Sequence, residues 1–463
     1  MIVSSIHKLK SLWLTIQTSL WFVPTVMVST AIILAITFIE IDSWASDDFL
    51  RQYPRLFGAG ADGSRGMLTA IATSMITVAG LTFSLTITTL ALASNQYTSR
   101  ILRNFMNNRI NQLVLGFFVG LFTYCLVVLR TIRGGNEDTF IPSLSVLFGL
   151  VLAIIGIGVL IYFIHHIALS IQASYIISLA ADETISAVHR LFPQDVGKEA
   201  PHEKTLDVLQ ELAHQPRQLI PAKASGYIQS IDEDALFEFA HSHDVVLKME
   251  KAIGEFTVQD TPLVALIGSY EVSDSNISTI NQAFTISRYR TINQDAAFGI
   301  RQLVDIALKA LSPGVNDTTT AILSIDYLSV ILAQLAQRRI EKPFRTDESK
   351  NPKVFLVAKM LTFETFVKGA FDQIRDNAAG NTAVLVRLLK AIATIASQTA
   401  NAGRLETLLN QAILVAKLAD RSVEDAYNRN LIRLQFTETL QQLSAEEFLA
   451  ILPLSSSQPE TSN

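Results

Sequence analysis

Apolar residues gather into four long runs in the first part of the chain and into short, regularly spaced sets after it. Residues 20–39, 67–93, 110–129 and 140–167 each reach the roughly 20 positions that a helix needs to cross a hydrocarbon core. Trp21 and Trp44 bracket the first run, where interfacial aromatic residues belong. Ahead of it, Leu9, Leu12, Trp13, Ile16 and Leu20 recur at helical spacing near Lys8 and Lys10, which predicts an interfacial helix over 1–19. The pattern predicts a four-span transmembrane domain over 20–171.

The second run is the most distinctive. No residue between Gly66 and Ser99 is charged, yet the centre reads Leu81-Thr82-Phe83-Ser84-Leu85-Thr86-Ile87-Thr88. That alternation has the period of a strand, but a lone strand leaves its backbone unpaired in lipid, so the segment must be helical there. Rolled at 100° per residue, Thr69, Thr73, Thr77, Gly80, Ser84 and Thr88 form one longitudinal stripe, with Thr82, Thr86 and Thr89 nearly opposite. Two readings fit. The long stripe lines a polar path, repeated around an oligomer, or its hydroxyls bond back to their own helix while small residues let neighbouring helices approach.

Past residue 171 the fourth run is expected to continue as a helix through 174–191, stopping near Phe192-Pro193, with a charged connector reaching 222. Over 223–268 short β-type runs appear between glycines and prolines: Gly226-Tyr227-Ile228, Val245-Val246-Leu247, Phe256-Thr257-Val258 and Pro262-Leu263-Val264-Ala265-Leu266. Gly254-Glu255-Phe256-Thr257-Val258 with Pro262-Leu263 resembles the half-motif of biotinyl and lipoyl-type sandwich domains. Lys248-Met249 does not complete a carrier site, because Lys248 precedes the glycine half-motif and no Met-Lys-Met triplet is present. Over 269–451 apolar residues return to helical spacing, as in Leu303, Ile306, Ala307 and Leu311, and a helical bundle follows. The polar tail 452–463 is expected to be disordered. The fold class is therefore an α-helical membrane bundle followed by an α+β region with a small β module and helices.

Composition narrows the function. Hydrophobic residues make up 49% of the 463 and charged residues 17%, the balance of a membrane protein with a substantial water-soluble part. A net charge of −5 without a Lys/Arg run argues against nucleic acid as a partner. A single cysteine, Cys125, excludes a disulfide framework and a Cys-x-x-Cys pair. Lys and Arg are nearly balanced between the two sets of loops, although Arg100, Arg103 and Arg109 share one short loop without an acid. Both termini are assigned to the cytoplasm, because the C-terminal part has no cysteine pairs and follows no export signal.

The local chemistry is concentrated in one helix-turn-helix, 298–321. Arg301 and Asp305 lie four apart on one face, Ser312-Pro313-Gly314 ends the first helix, and Asn316 or Asp317 can cap the second. Either the turn is simply capped, or free N–H groups there, with Ser312, Asn316 and the hydroxyls of Thr318, Thr319 and Thr320, hold a ligand. Residues 372–383 repeat the grammar around Gly380 and Asn381, so two polar turns can converge, with Arg301 and Arg375 as partners for Asp305, Asp317 or Asp372. His165-His166 and His241-x-His243 have no co-ligand in a recognised spacing, so no metal is assigned. No nucleotide, hydrolase or metalloprotease motif occurs, so no cofactor or catalytic residue is assigned.

Several stretches together resemble the bacterial predicted-membrane-protein family catalogued as domain of unknown function 2254. They are Ser94-Asn95-Gln96-Tyr97, Arg103-Asn104-Phe105-Met106, Tyr162-Phe163-Ile164-His165-His166-Ile167, Ser170-Ile171-Gln172-Ala173 and the run from Gly299 to Asp317. Where the family pattern has proline after Asn-Asp, this chain has Thr318. The resemblance implies architecture and a multi-pass bacterial inner-membrane location, and it carries no catalytic role. The expectation is a homo-oligomer in the lipid bilayer that forms or regulates a path for a small solute or ion, or else a membrane-tethered sensor or scaffold that binds a ligand or protein.

Overall fold

The computed structural model describes residues 21–44, 60–96, 109–134, 140–192, 215–292, 294–340, 344–347 and 353–445. The expected interfacial helix, the arginine loop before Arg109, most of the connector and the polar tail lie outside them. The chain divides into two compact units, Met1–Tyr175 and Ile176–Asn463.

The first unit is built from α1 (Phe22–Trp44), α2 (Ala61–Gln96), α3 (Arg109–Thr131) and α4 (Ser143–Ser170). Helix α3 is central, packing on each of the other three. Val114, Phe118, Leu121, Cys125 and Val128 recur at alternating spacings of four and three and are all buried, the pattern of a helix with one continuous seam. Gly116 lets α1 approach closely: a Cβ there would meet Met27 Sδ at 2.6 Å and Pro24 Cα at 3.1 Å. The outer surface is the inverse of a water-soluble one, with Ile33, Ile154, Ile157 and Ile161 each 60% or more exposed.

One buried polar group of this unit is tied to a helix end. Pro142 precedes α4 and offers no side-chain cap. Asp42, buried at the end of α1, accepts instead from the Leu144 and Ser145 amides at 2.8 and 2.9 Å and from the Ser145 hydroxyl at 2.6 Å. A carboxylate at a helix N-terminus satisfies donors that have no partner within the helix and complements the helix dipole. Tyr124 donates to the Ser145 carbonyl at 2.9 Å, so α1, α3 and α4 meet at one polar node.

Helix α4 does not run on as expected. It closes at Ser170, with the Gln172 amide donating to the Leu169 carbonyl, and α5 (Ala173–Leu191) starts afresh. Hydropathy misses the break because neither proline nor glycine marks it and apolar spacing resumes on the far side.

The second unit carries strands β1 (Arg217–Pro221), β2 (Gly226–Ile231), β3 (Val246–Met249), β4 (Phe256–Thr257), β5 (Pro262–Ile267), β6 (Phe284–Ser287), β7 (Phe344–Thr346) and β8 (Val354–Val357). They form a five-stranded sheet in the order β1-β5-β3-β8-β7 and a three-stranded sheet in the order β4-β2-β6. The four expected β runs supply β2 to β5, but the sheets exceed the 223–268 boundary on both sides. β8 joins β3 in parallel and carries β7 with it, a pairing between segments about a hundred residues apart that no local pattern announces. Lys248 lies on β3, 3.6 Å from Glu250.

Helices α6 (Glu233–Ser242) and α7 (Asp274–Gln282) lie among the strands. After them come α8 (Ala296–Leu311), α9 (Thr318–Ala336), α10 (Phe363–Asn377), α11 (Thr382–Ala396), α12 (Ala402–Ser422) and α13 (Ala426–Leu443). Each of these six is capped by the side chain before it: Asp295, Asp317, Thr362, Asn381, Asn401 and Asp425 all accept an amide three residues on. Gly299 lets α8 approach α5, since a Cβ there would sit 2.8 Å from the Thr184 Cβ. Among the described residues five helices are long and apolar enough to cross a membrane: α1 to α4, with the second counted over Ala61–Leu92, and α9 in the second unit. Ile325, Leu328, Ile331, Leu332 and Leu335 of α9 are wholly buried.

Candidate functional site

The stripe on α2 faces outward. Thr69, Thr73, Thr77, Gly80, Ser84 and Thr88 are all exposed, and a Cβ on Gly80 would meet nothing within 4 Å. Thr77 donates to the Thr73 carbonyl at 2.8 Å and Thr88 to the Ser84 carbonyl at 2.9 Å, so these hydroxyls are satisfied within the helix while leaving lone pairs on the surface. On the opposite side Thr82 and Thr89 are buried, and Thr82 and Thr86 bond back to the Ala79 and Thr82 carbonyls. An apolar cluster packs the inward face of α2, with Leu68, Ile71, Ala72, Met75 and Ala79 against Phe118 and Leu121 of α3.

In the second unit the two polar turns do converge. Asn381 caps α11, with the Val384 amide 3.2 Å from its Oδ1, and its Nδ2 donates to the Thr318 hydroxyl at 3.0 Å. Asp317 caps α9, accepting from the Thr320 amide at 3.0 Å and hydroxyl at 2.5 Å. The Thr320 hydroxyl, then its amide, holds the Asp317 carboxyl below its ordinary range. Asn316 takes a left-handed conformation (φ 49°), and the Ser312 hydroxyl donates to the Lys309 carbonyl at 2.6 Å. Gly314 stands in open space. Arg301 bridges Asp305 at 2.7 Å and donates to Gln373 Oε1 at 2.7 Å, while Arg375 pairs with Asp372 at 2.9 Å. The helix-start amides are thus answered by Asp317 and Asn381, and the arginines by side chains of their own and neighbouring helices.

The histidines are engaged with rings. His241 lies in the last turn of α6 and stacks on Phe237, while His243 caps that helix and stacks on Phe239. His166 stacks on Tyr162. Among the described residues no three His, Cys, Asp or Glu side chains group around a point where an ion could sit.

Three polar devices had no sequence signal. Asp42 is one. In the second, Gly254 (φ 83°) brings its backbone against an ion pair of the buried Asp295 and the half-buried Arg290, in which Arg290 Nε and Nη2 lie 2.8 and 2.7 Å from Asp295 Oδ2. Burial pushes the Asp295 carboxyl up, against the pull of Arg290. The third is a pair of arginines at helix C-termini: Arg404 donates to the Ala336 carbonyl at 2.8 Å and Arg338 to the Phe192 carbonyl at 2.6 Å, where cations complement the dipole.

An uncharacterized protein of Mycobacterium tuberculosis strain CDC 1551 is 30% identical over 441 residues, which are 93% of this chain and 81% of the relative. Uncharacterized proteins of Mycobacterium bovis and of M. tuberculosis strain H37Rv align with the same identity and coverage. No solved structure matches. The family model described as "Predicted membrane protein (DUF2254)" matches residues 17–394, across the four apolar helices, both sheets and the converging turns, and the chain belongs to that family of membrane proteins of unknown function.

Proposed function

We propose that this is a four-span protein of the bacterial plasma membrane, both termini cytoplasmic, that self-associates through α2 and passes a small solute or ion along the hydroxyl stripe. The second unit controls access to that path, and α9 belongs to its core rather than to the membrane. The observation that carries the reading is the outward exposure of the stripe. Thr69 to Thr88 spans about 28 Å of helix at 1.5 Å per residue, close to the ~30 Å hydrocarbon core. A polar surface of that length gains nothing from lipid. Copies of α2 facing one another enclose it, as small and hydroxyl residues favour in membrane interfaces. Since the stripe faces away from the packed helices of one unit, the path lies between copies.

Reconstituted in liposomes, the protein should support flux of ions or small polar solutes. Thr73→Val, Thr77→Val, Ser84→Val and Thr88→Val combined should lower that flux at least tenfold with the oligomer intact. A parent that is silent toward every solute tried contradicts the path, and so does a fourfold variant that conducts like the parent.

A tethered sensor or scaffold is the second reading, favoured by the Asn381–Thr318 contact that joins two exposed turns into one surface. It ranks below the path because Asp317 and Asn381 already occupy the amides a ligand would use. A ligand that raised the melting temperature of the full chain would reverse this order.

A further inference from the structure

The geometry points to a second contact between copies, an antiparallel pairing of α13 with α13 of another chain. One face of α13 is buried through Ile432, Phe436, Leu440 and Leu443. The other presents Tyr427, Leu431, Leu434 and Glu438, at successive spacings of four, three and four, the repeat of a two-helix seam. Tyr427 is 70%, Leu431 37% and Leu434 57% exposed.

Polarity along the seam selects both the occupant and its direction. A two-fold axis midway between Leu431 and Leu434 sets these leucines against each other and Tyr427 against Glu438, so that each phenol can donate to a carboxylate. Glu438 keeps lone pairs for that contact while accepting from Gln435 Nε2 of its own helix at 3.0 Å. A parallel pair would stack Glu438 on Glu438, a like-charge contact that opposes association. The surface is therefore self-complementary in one orientation, as a two-fold interface requires. It lies beyond residue 394, where the family match ends, and it does not depend on the α2 contact.

The test is disulfide cross-linking of the full chain in native membranes, with two differently tagged copies coexpressed. Tyr427→Cys in one copy and Glu438→Cys in the other should cross-link. Either variant alone should not, because identical positions stand about 16 Å apart along an antiparallel pair at 1.5 Å per residue. Adding Leu431→Glu and Leu434→Glu, both on the exposed face, should reduce the mixed cross-link at least tenfold. Cross-linking of Tyr427→Cys with itself, no mixed cross-link, or a mixed cross-link indifferent to the two glutamates would each overturn the pairing. Because the readout is contact at α13, it is separable from any result on α2.

Discussion

Arg290→Ala is expected to destabilise the second unit by about 3–5 kcal/mol, the usual cost of stranding a buried charge, and the loss should grow as pH rises. Asp295 is 2% exposed at its side chain and Arg290 is its cationic partner. The carboxyl also caps α8 through the Phe298 amide at 3.0 Å, and the guanidinium lies 5.1 Å from the centre of the Phe298 ring. With Arg290 gone, burial is opposed only by the cap, and protonation becomes the way to relieve the charge. The sign follows from the raised folded pKa. Between the ordinary aspartate value and that raised value the folded state binds more protons than the unfolded one, so stability falls as pH increases. Pulse proteolysis in urea at about pH 5.5 and pH 8, on the full chain in detergent, should show the gap between variant and parent widening at the higher pH. A cost below about 1 kcal/mol, equal at both pH values, contradicts the assignment.

Asp42→Ala should loosen the first unit by about 3 kcal/mol, since it removes a cap and charge-assisted hydrogen bonds together. Three donors at the start of α4 lose their acceptor, and Pro142 cannot replace it. Cys125 reports the effect without any added probe, being the chain's one cysteine and wholly buried on α3. At about 1.4 kcal/mol per tenfold, labelling of Cys125 through unfolding fluctuations should quicken about a hundredfold in Asp42→Ala. Asp42→Asn keeps one acceptor oxygen and should fall between variant and parent. Labelling of Asp42→Ala within twofold of the parent would show that the node does not hold α4.

These two sites mark where local pattern stops informing. The four apolar runs announce α1 to α4 because length and hydropathy of a long apolar helix are carried by most of its residues. The cap Asp317 is equally legible, since capping is decided within three residues. Asp42 reads as an ordinary polar end to an apolar run, and its partners lie a hundred positions away at Leu144 and Ser145. Gly254, Arg290 and Asp295 carry no spacing rule, for their meeting depends on how the small sheet is placed against α8. β7 and β8 are too short to stand out and owe their pairing to β3. The break after Ser170 is silent for the opposite reason, as the residues on either side suit a helix equally well.

The stripe itself was legible as a stripe, but its direction was not. Periodicity gives the angle between Thr77 and Thr82 on α2, and only the packing of Met75 and Ala79 against α3 decides which of them looks outward. That outward direction places any path between copies. Cysteines introduced singly at Thr73, Thr77, Gly80 and Ser84, and at the apolar exposed positions Phe83 and Leu92 that flank the stripe on either side, should therefore be compared in intact membranes using a small, membrane-impermeant thiol reagent. The stripe positions should label while Phe83→Cys and Leu92→Cys stay protected by lipid. Protection of the stripe positions, or labelling with no helical period, would contradict a water-filled path along α2.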